Sequence, residues 1–291
     1  MKIIAVANNK GGVGKTKVSS ILIEYLSSYM NKRVLAMDFD SQCNLSKRYL
    51  PMVIDPASPE GFMPPIHPDI DLEDPNFSSW IENRSSIADI FFGMQIIPYE
   101  TKIKNLDISP GHASKLLEVE GIRRNEITEK VYNHLTLFLD SDDLKEVYDV
   151  VVIDTGPSKG PLTVSAIRAA THMLIPSIME ELPIQGIYGM MQLWKQESLK
   201  REKGKTLNLV GILANQYRKI KLHEGMYNSL LQTEGISQYV IPHKLGQRSA
   251  FAEVDTEFAE PNSIFNEPNS SLAKEEALKV CDYIAKRVFN E

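Results

Sequence analysis

The densest chemistry in the chain lies in Lys10-Gly11-Gly12-Val13-Gly14-Lys15-Thr16, which follows the apolar run Ile3-Ile4-Ala5-Val6-Ala7. A strand, a glycine-rich turn, a Lys-Thr pair and then a helical pattern form the context in which such a turn binds phosphate. Lacking Cβ atoms, Gly11, Gly12 and Gly14 let the backbone N–H groups of the turn, that of Val13 included, curl around an anion. The following helix aims its positive end at the same anion. Lys15 is expected to reach the β- and γ-phosphates of a nucleotide and the Thr16 hydroxyl to ligate Mg²⁺, with Lys17 among the nucleotide-binding residues of the first turn.

Two acidic segments sit where that chemistry needs carboxylates. Val34-Leu35-Ala36-Met37 leads into Asp38-Phe39-Asp40-Ser41-Gln42. Residues two apart on a strand share a face. Asp38 and Asp40 should therefore point the same way at the strand's carboxyl end, the edge where open α/β sheets bind ligands. A carboxylate there can hold a Mg²⁺-bound water or orient an attacking one. The second segment is Val150-Val151-Val152-Ile153-Asp154-Thr155-Gly156-Pro157. Its four apolar β-formers suit a strand buried on both faces of a parallel sheet, with Asp154 at its end facing the metal through water.

Taken together, these segments resemble the deviant Walker A motif and companion motifs of the ParA/MinD family of dimeric ATPases. The likeness rests on Lys10 in front of the loop, with Asn9 where the common loop has glycine, on Asp38–Asp40, Asp154 and Ile175-Pro176, and on the Asn215 and Ile241-Pro242 segments. It implies that Lys10 crosses a dimer interface to touch the partner's ATP. By the same likeness Asp40 positions the nucleophilic water, Asp38 belongs to the magnesium shell, and Asp154 is the Walker B aspartate. Asn215 would meet the adenine, whose donor–acceptor edge an amide can match; an Asn that caps a turn is the alternative. Pro242 would lie in the loop that covers the base. Where the family shows D-x-P-P, this chain has Gly156-Pro157, followed by Lys159 in the same loop. The cofactors implied are ATP and Mg²⁺. The partners implied are a second copy of the chain, nonspecific double-stranded DNA and a ParB-like or cargo adaptor that stimulates hydrolysis. The expected location is the cytoplasm, on the nucleoid when ATP is bound.

Composition sets the outer bounds. The chain has 291 residues, 43% hydrophobic and 24% charged, enough for one large α/β core. Cys43 and Cys281 have no metal spacing, so a reduced setting without disulfides is expected. No apolar run approaches the ~20 residues that span a bilayer, and the start of the chain shows no basic leader pattern. The formal net charge is −6, yet between Lys195 and Arg248 ten basic residues face four acidic ones. Clustered positive charge is the footprint of phosphate-backbone contact. Arg218, Lys219, Lys221, Lys244 and Arg248 are the DNA-binding candidates, with Arg218 and Arg248 flanking the base-covering segments.

The elements that must position these groups alternate. Strands are expected at 2–8, 33–38, within 106–111 as a strand followed by a turn, over the apolar run 150–153 ended by Asp154, and at 173–178, 207–214 and 238–241. Helices are expected at about 15–30, 87–92, 112–120, 127–145, 160–170, 183–202, 223–234 and 271–289. This order gives an α/β fold: a mostly parallel, twisted sheet with helices on both faces, in a single P-loop NTPase domain. Residues 51–80 break the pattern with seven prolines, six acidic residues and no Lys or Arg. They read as a Pro-rich insertion, unlikely to be ordered across Pro64-Pro65 and Asp74-Pro75, and suited to a dimer rim or adaptor site. No helix-turn-helix pattern precedes Lys10. The whole reads as an ATP-dependent switch that partitions or positions a plasmid, a chromosome or a protein organelle such as the carboxysome. Three other readings remain open. A MinD-like membrane switch needs a basic amphipathic C-terminal helix, and the tail at 283–289 reads instead as core packing. A redox ATPase needs cluster-ligating cysteines; a metabolic ATPase needs a further catalytic group.

Overall fold

The structure, a computed structural model, describes residues 1–69, 83–122, 125–254, 262–268 and 271–289. The chain runs β1 (Lys2–Val6), α1 (Lys15–Glu24), β2 (Val34–Phe39), α2 (Asn44–Tyr49), β3 (Val53–Asp55), β4 (Ser58–Met63), β5 (Tyr99–Glu100), β6 (Leu106–Ser109), α3 (Ala113–Glu120), α4 (Asn125–Leu139), α5 (Asp142–Val147), β7 (Val150–Thr155), α6 (Pro161–Ala169), β8 (His172–Ser177), α7 (Glu181–Leu199), β9 (Asn208–Tyr217), α8 (Lys221–Gln232), β10 (Val240–Gly246), α9 (Ser249–Glu253) and α10 (Leu272–Phe289). One sheet of eight strands has the order β10-β9-β8-β1-β7-β2-β6-β5. Every pairing in it is parallel except that of the short edge strand β5 with β6. The chain crosses from one side of β1 to the other between β7 and β8, which puts a topological switch point at β1.

Both faces of the sheet are buried, and the strand period of two divides the core. Ile3, Ala5, Leu35, Met37, Val151 and Ile153 join one layer with Leu135, Ile167, Ile187 and Met190 of α4, α6 and α7. Ile4, Val6, Val34, Ala36, Val150 and Val152 join the other with Leu22, Leu45, Val280 and Ile284 of α1, α2 and α10. Near-continuous Val/Ile/Ala runs are what such doubly covered strands require. Among the described residues no helix is long and apolar enough to cross a membrane.

The structure departs from the expected elements in four places. The helix expected to reach residue 30 widens after Glu24 into a π-type turn over Tyr25–Tyr29, where Met30 N donates to Tyr25 O at 3.0 Å. The helix expected over 127–145 is two helices, because the chain turns at Asp140 and Ser141 before α5. Part of the Pro-rich insertion is an antiparallel hairpin, β3–β4, while Asp74-Pro75, Phe77 and Trp80 lie outside the described residues. Asp55 of this hairpin is buried and accepts from Ala57 N and Ser114 N, with His112 Nδ1 at 3.2 Å, so the hairpin is clipped to the start of α3. Finally, Pro242 lies within β10, not in a loop. A proline, which cannot donate to the ladder, is tolerated there because β10 is an edge strand.

Candidate nucleotide-binding and catalytic site

The loop between β1 and α1 stands at the switch point, at the carboxyl edge of the sheet. Gly12 and Gly14 hold φ of 73° and 77°, a left-handed backbone that glycine adopts without strain. Two amides from the end of β9 brace the loop from behind. Asn215 Nδ2 donates to Val13 O at 2.8 Å, and Gln216 Nε2 donates to Gly12 O at 2.9 Å. A Cβ on Gly14 would lie 2.3 Å from Asn215 Nδ2 and 3.1 Å from Gln216 Nε2, so glycine there is required by the bracing as well as by φ. Gln216 itself sits at φ 50°, strain of the kind that persists where surrounding structure fixes a functional backbone. With two loop carbonyls pinned, the loop's N–H groups remain for an anion. The sequence reading missed Gln216. It also left Asn215 between two roles, and the amide nitrogen is committed to the loop.

Lys15 opens α1, is nearly buried, and donates from Nζ to Lys10 O at 3.2 Å. Burial lowers its pKa, with Asp154 and Asp40 opposing the shift. A buried ammonium resting on a loop carbonyl is poised to exchange that partner for a phosphate oxygen. Lys10 takes a different course: its side chain lies along α7, where a Cβ on Gly186 would come within 2.7 Å of Lys10 Cγ.

The carboxylates converge as their strands pair. Asp38 and Asp154 are register partners of β2 and β7, and both are fully buried. Thr16 Oγ1 donates to Asp154 Oδ2 at 2.6 Å, and Ser19 Oγ to Oδ1 at 2.9 Å. Burial, then the neighbouring Asp38 charge, pushes the Asp154 pKa up to about 8 against those two hydroxyls. Asp38 is pushed up to about 6, chiefly by burial. Its oxygens are already occupied: Oδ1 accepts from Asp40 N (3.1 Å), and Oδ2 from Ser46 N (2.8 Å) and Ser46 Oγ (2.7 Å). Asp38 therefore ties the loop after β2 to the start of α2, and a direct metal role is better carried by Asp154 and Thr16. The Asp40 carboxylate, by contrast, accepts from Gln42 N (3.0 Å) and borders a cavity of about 100 Å³ with Ser158, Thr163 and Gly156.

These residues fit a magnesium ion. The donors are hard oxygens, the Thr16 hydroxyl already touches the carboxylate, and an adjacent cation would offset a carboxylate held neutral by burial. Nucleotide phosphates and waters would complete its shell. A cleft of about 270 Å³ lies behind Lys17 and Ile21, lined by Asn215, Gln216, Leu245, Gly246, Gln247, Arg248, Phe251 and Ala252. Its outer wall comes from residues 245–252, just beyond Pro242. Lys17 donates to Phe251 O and anchors that wall.

The DNA-binding candidates separate. Lys244 Nζ lies 3.7 Å from the Tyr227 ring centre and 4.1 Å from that of Tyr217, and burial lowers its pKa. Arg248 is bound to Glu276 at 2.6 Å beside the cleft behind Lys17. Arg218 sits 3.4 Å from Glu180 at the surface, and Lys219 and Lys221 stand exposed at the start of α8. Lys200, Lys203 and Lys205 follow α7 at the amino-terminal end of the sheet, while 218–221 follow β9 at the other end. The basic segment is thus two patches, not one surface.

Comparison with known proteins agrees with this geometry. A family model described as an AAA domain matches residues 1–209. A ParA family protein of Chlamydia trachomatis is 26% identical over 235 residues, covering 80% of this chain and 78% of that protein. A Sinorhizobium fredii protein described as replication protein A is 34% identical over 182 residues, covering 60% of this chain but only 39% of its own length. The ATP complex of a Cyanothece McdA variant superposes with a TM-score of 0.74 at 16% identity, over 99% of this chain and 96% of that one. The braced loop, its Lys15–Thr16 pair and the paired strand-end aspartates thus sit in a chain that belongs to the AAA-domain family, among the P-loop ATPases of ParA/MinD type.

Proposed function

We propose that this protein is an ATP-driven dimerising switch that partitions or positions a cargo over nonspecific DNA, with hydrolysis stimulated by an adaptor. The observation that carries the reading is Lys10. It stands at the front of the loop, but its side chain is laid along α7, apart from the cradle that Lys15 serves. A cation so placed is suited to a nucleotide held by a facing copy. The ParA likeness of the chlamydial relative and the McdA fold support the same reading.

In this reading the loop N–H groups and Lys15 hold the phosphates. Thr16 and Asp154 would hold Mg²⁺, which would supply neutralisation of the charge on the β- and γ-oxygens. Asp40 orients the attacking water and accepts its proton as the bond to the γ-phosphorus forms and the bond from that phosphorus to the β-phosphate oxygen breaks, with ADP leaving. Lys15, and Lys10 of the facing copy, stabilise the charge that develops on the leaving and transferred oxygens.

Light scattering with and without ATP-Mg²⁺, followed by binding of unrelated duplexes at low salt, tests this directly. The wild type should dimerise with ATP and bind each duplex alike. Lys219→Glu together with Lys221→Glu should weaken that binding tenfold or more at fixed salt and flatten the log–log salt slope by about 2, with ATP hydrolysis retained. A wild type that ignores DNA in the ATP state would turn the assignment toward a metabolic ATPase.

A further inference from the structure

α7 carries two glycines one turn apart in its interior, Gly186 and Gly189. Glycine inside a helix is destabilising relative to alanine, so two of them ask for a reason. The space each leaves is filled by a lysine from a different active-site loop. A Cβ on Gly186 would lie 2.7 Å from Lys10 Cγ, 2.9 Å from Asn8 Oδ1 and 3.0 Å from Asn9 Oδ1. A Cβ on Gly189 would lie 2.5 Å from Lys159 Nζ and 3.2 Å from its Cε.

The chain in front of the phosphate loop is fixed through Asn8. Asn8 is fully buried, donates to Pro176 O at 2.8 Å and accepts from Lys10 N at 3.1 Å. Asn9 Oδ1 is buried with no hydrogen-bond partner. The backbone at Lys10 is thus held by Asn8 and by Lys15 Nζ, while its side chain lies in the groove that Gly186 leaves. We infer that α7 is a seat that holds Lys10 against its own protomer, and that Gly186 is a positioning residue setting how readily Lys10 leaves for the facing protomer's nucleotide. The inference rests on the trans role of Lys10 proposed above. Ligands that favour the released state draw on the same parked–released equilibrium, so narrowing the groove should make release easier.

The test separates the seat from the trans role. Gly186→Ala is labelled with an amine-acylating reagent without nucleotide, and Lys10 modification is followed by mass spectrometry. Acylation of Lys10 should rise roughly threefold over wild type. The ATP concentration at half-dimerisation should fall by a similar factor, while the affinity for a fluorescent ATP analogue stays within about twofold. In a Lys10→Ala background the Gly186→Ala effect on dimerisation should vanish. Gly189→Ala, which meets only the mobile end of Lys159, keeps the test available if Gly186→Ala folds poorly. It should raise labelling of Lys159 and leave that of Lys10 unchanged. Unchanged Lys10 labelling in folded Gly186→Ala, or unchanged Lys159 labelling in Gly189→Ala, overturns the seat. Loss of ATP affinity in step with dimerisation overturns it too, by assigning Gly186 to loop integrity. A wild type that stays monomeric with ATP, whatever the labelling shows, overturns the trans role instead.

Discussion

Replacing Asp40 with alanine is expected to slow ATP hydrolysis by about a hundredfold or more and to leave the protein as an ATP-loaded dimer. The loop that carries Asp40 does not depend on it. That loop is held by Asp38, which accepts from Asp40 N, Ser46 N and Ser46 Oγ, and by Ser46 Oγ, which accepts from Gly111 N at 2.9 Å. The Asp40 carboxylate contributes one bond to Gln42 N and otherwise borders the small cavity beside Ser158 and Thr163. Its removal should take away the group that orients water and leave the fold and the phosphate cradle standing. Phosphate release and light scattering at saturating ATP-Mg²⁺ read both halves. Turnover within threefold of wild type would remove Asp40 from the chemistry. A monomeric Asp40→Ala protein would break the link between stalled hydrolysis and assembly. Asp38→Ala, by contrast, should lose structure along with activity, because three donors would lose a buried acceptor.

The contrast between those two aspartates marks how far the sequence could be read. Strand ends, the glycine loop and the Lys-Thr pair are local features, so Asp38 and Asp154 could each be placed at the end of its own strand, and the two prove to be register partners. What separates Asp38 from Asp40 is nonlocal. It depends on where Ser46 falls once α2 turns back, and no spacing rule carries that. Gln216 was hidden for the same reason: its bond to Gly12 O joins residues 204 apart in the chain. The basic segment misled through topology. In a parallel sheet, successive loops alternate between opposite ends, so charges that are contiguous in sequence divide in space. The hairpin at 53–63 was obscured by its prolines, and its anchor, Asp55 on Ser114 N, again joins distant segments.

Asp154→Asn should abolish Mg²⁺-dependent hydrolysis and at the same time make the protein, assayed without nucleotide, more stable at pH 7.5. An unfolded Asp ionises near pH 3.9, whereas burial and the nearby Asp38 charge hold Asp154 protonated to about pH 8. The sign follows from that order. A carboxyl whose folded pKa lies above its unfolded value contributes stability that is complete below the unfolded pKa and is lost as pH rises through the folded one. Over the window from about pH 4 to 8 this group therefore costs up to ~1.4 kcal/mol per pH unit. Asparagine has no such ionisation. Its amide can still serve the Thr16 and Ser19 hydroxyls, because a hydroxyl can accept as well as donate. Urea unfolding of both proteins at pH 5.5 and 7.5, without nucleotide, reads the effect: the wild type should weaken between the two pH values by more than the variant does. An Asp154→Asn protein less stable than wild type at pH 7.5 would show that the carboxylate is satisfied as an ion in the resting state. A steeper wild-type slope would mean that the site holds, before ATP arrives, a destabilising carboxylate whose ionisation becomes favourable only beside a cation, the stability–activity trade expected of a metal-binding centre.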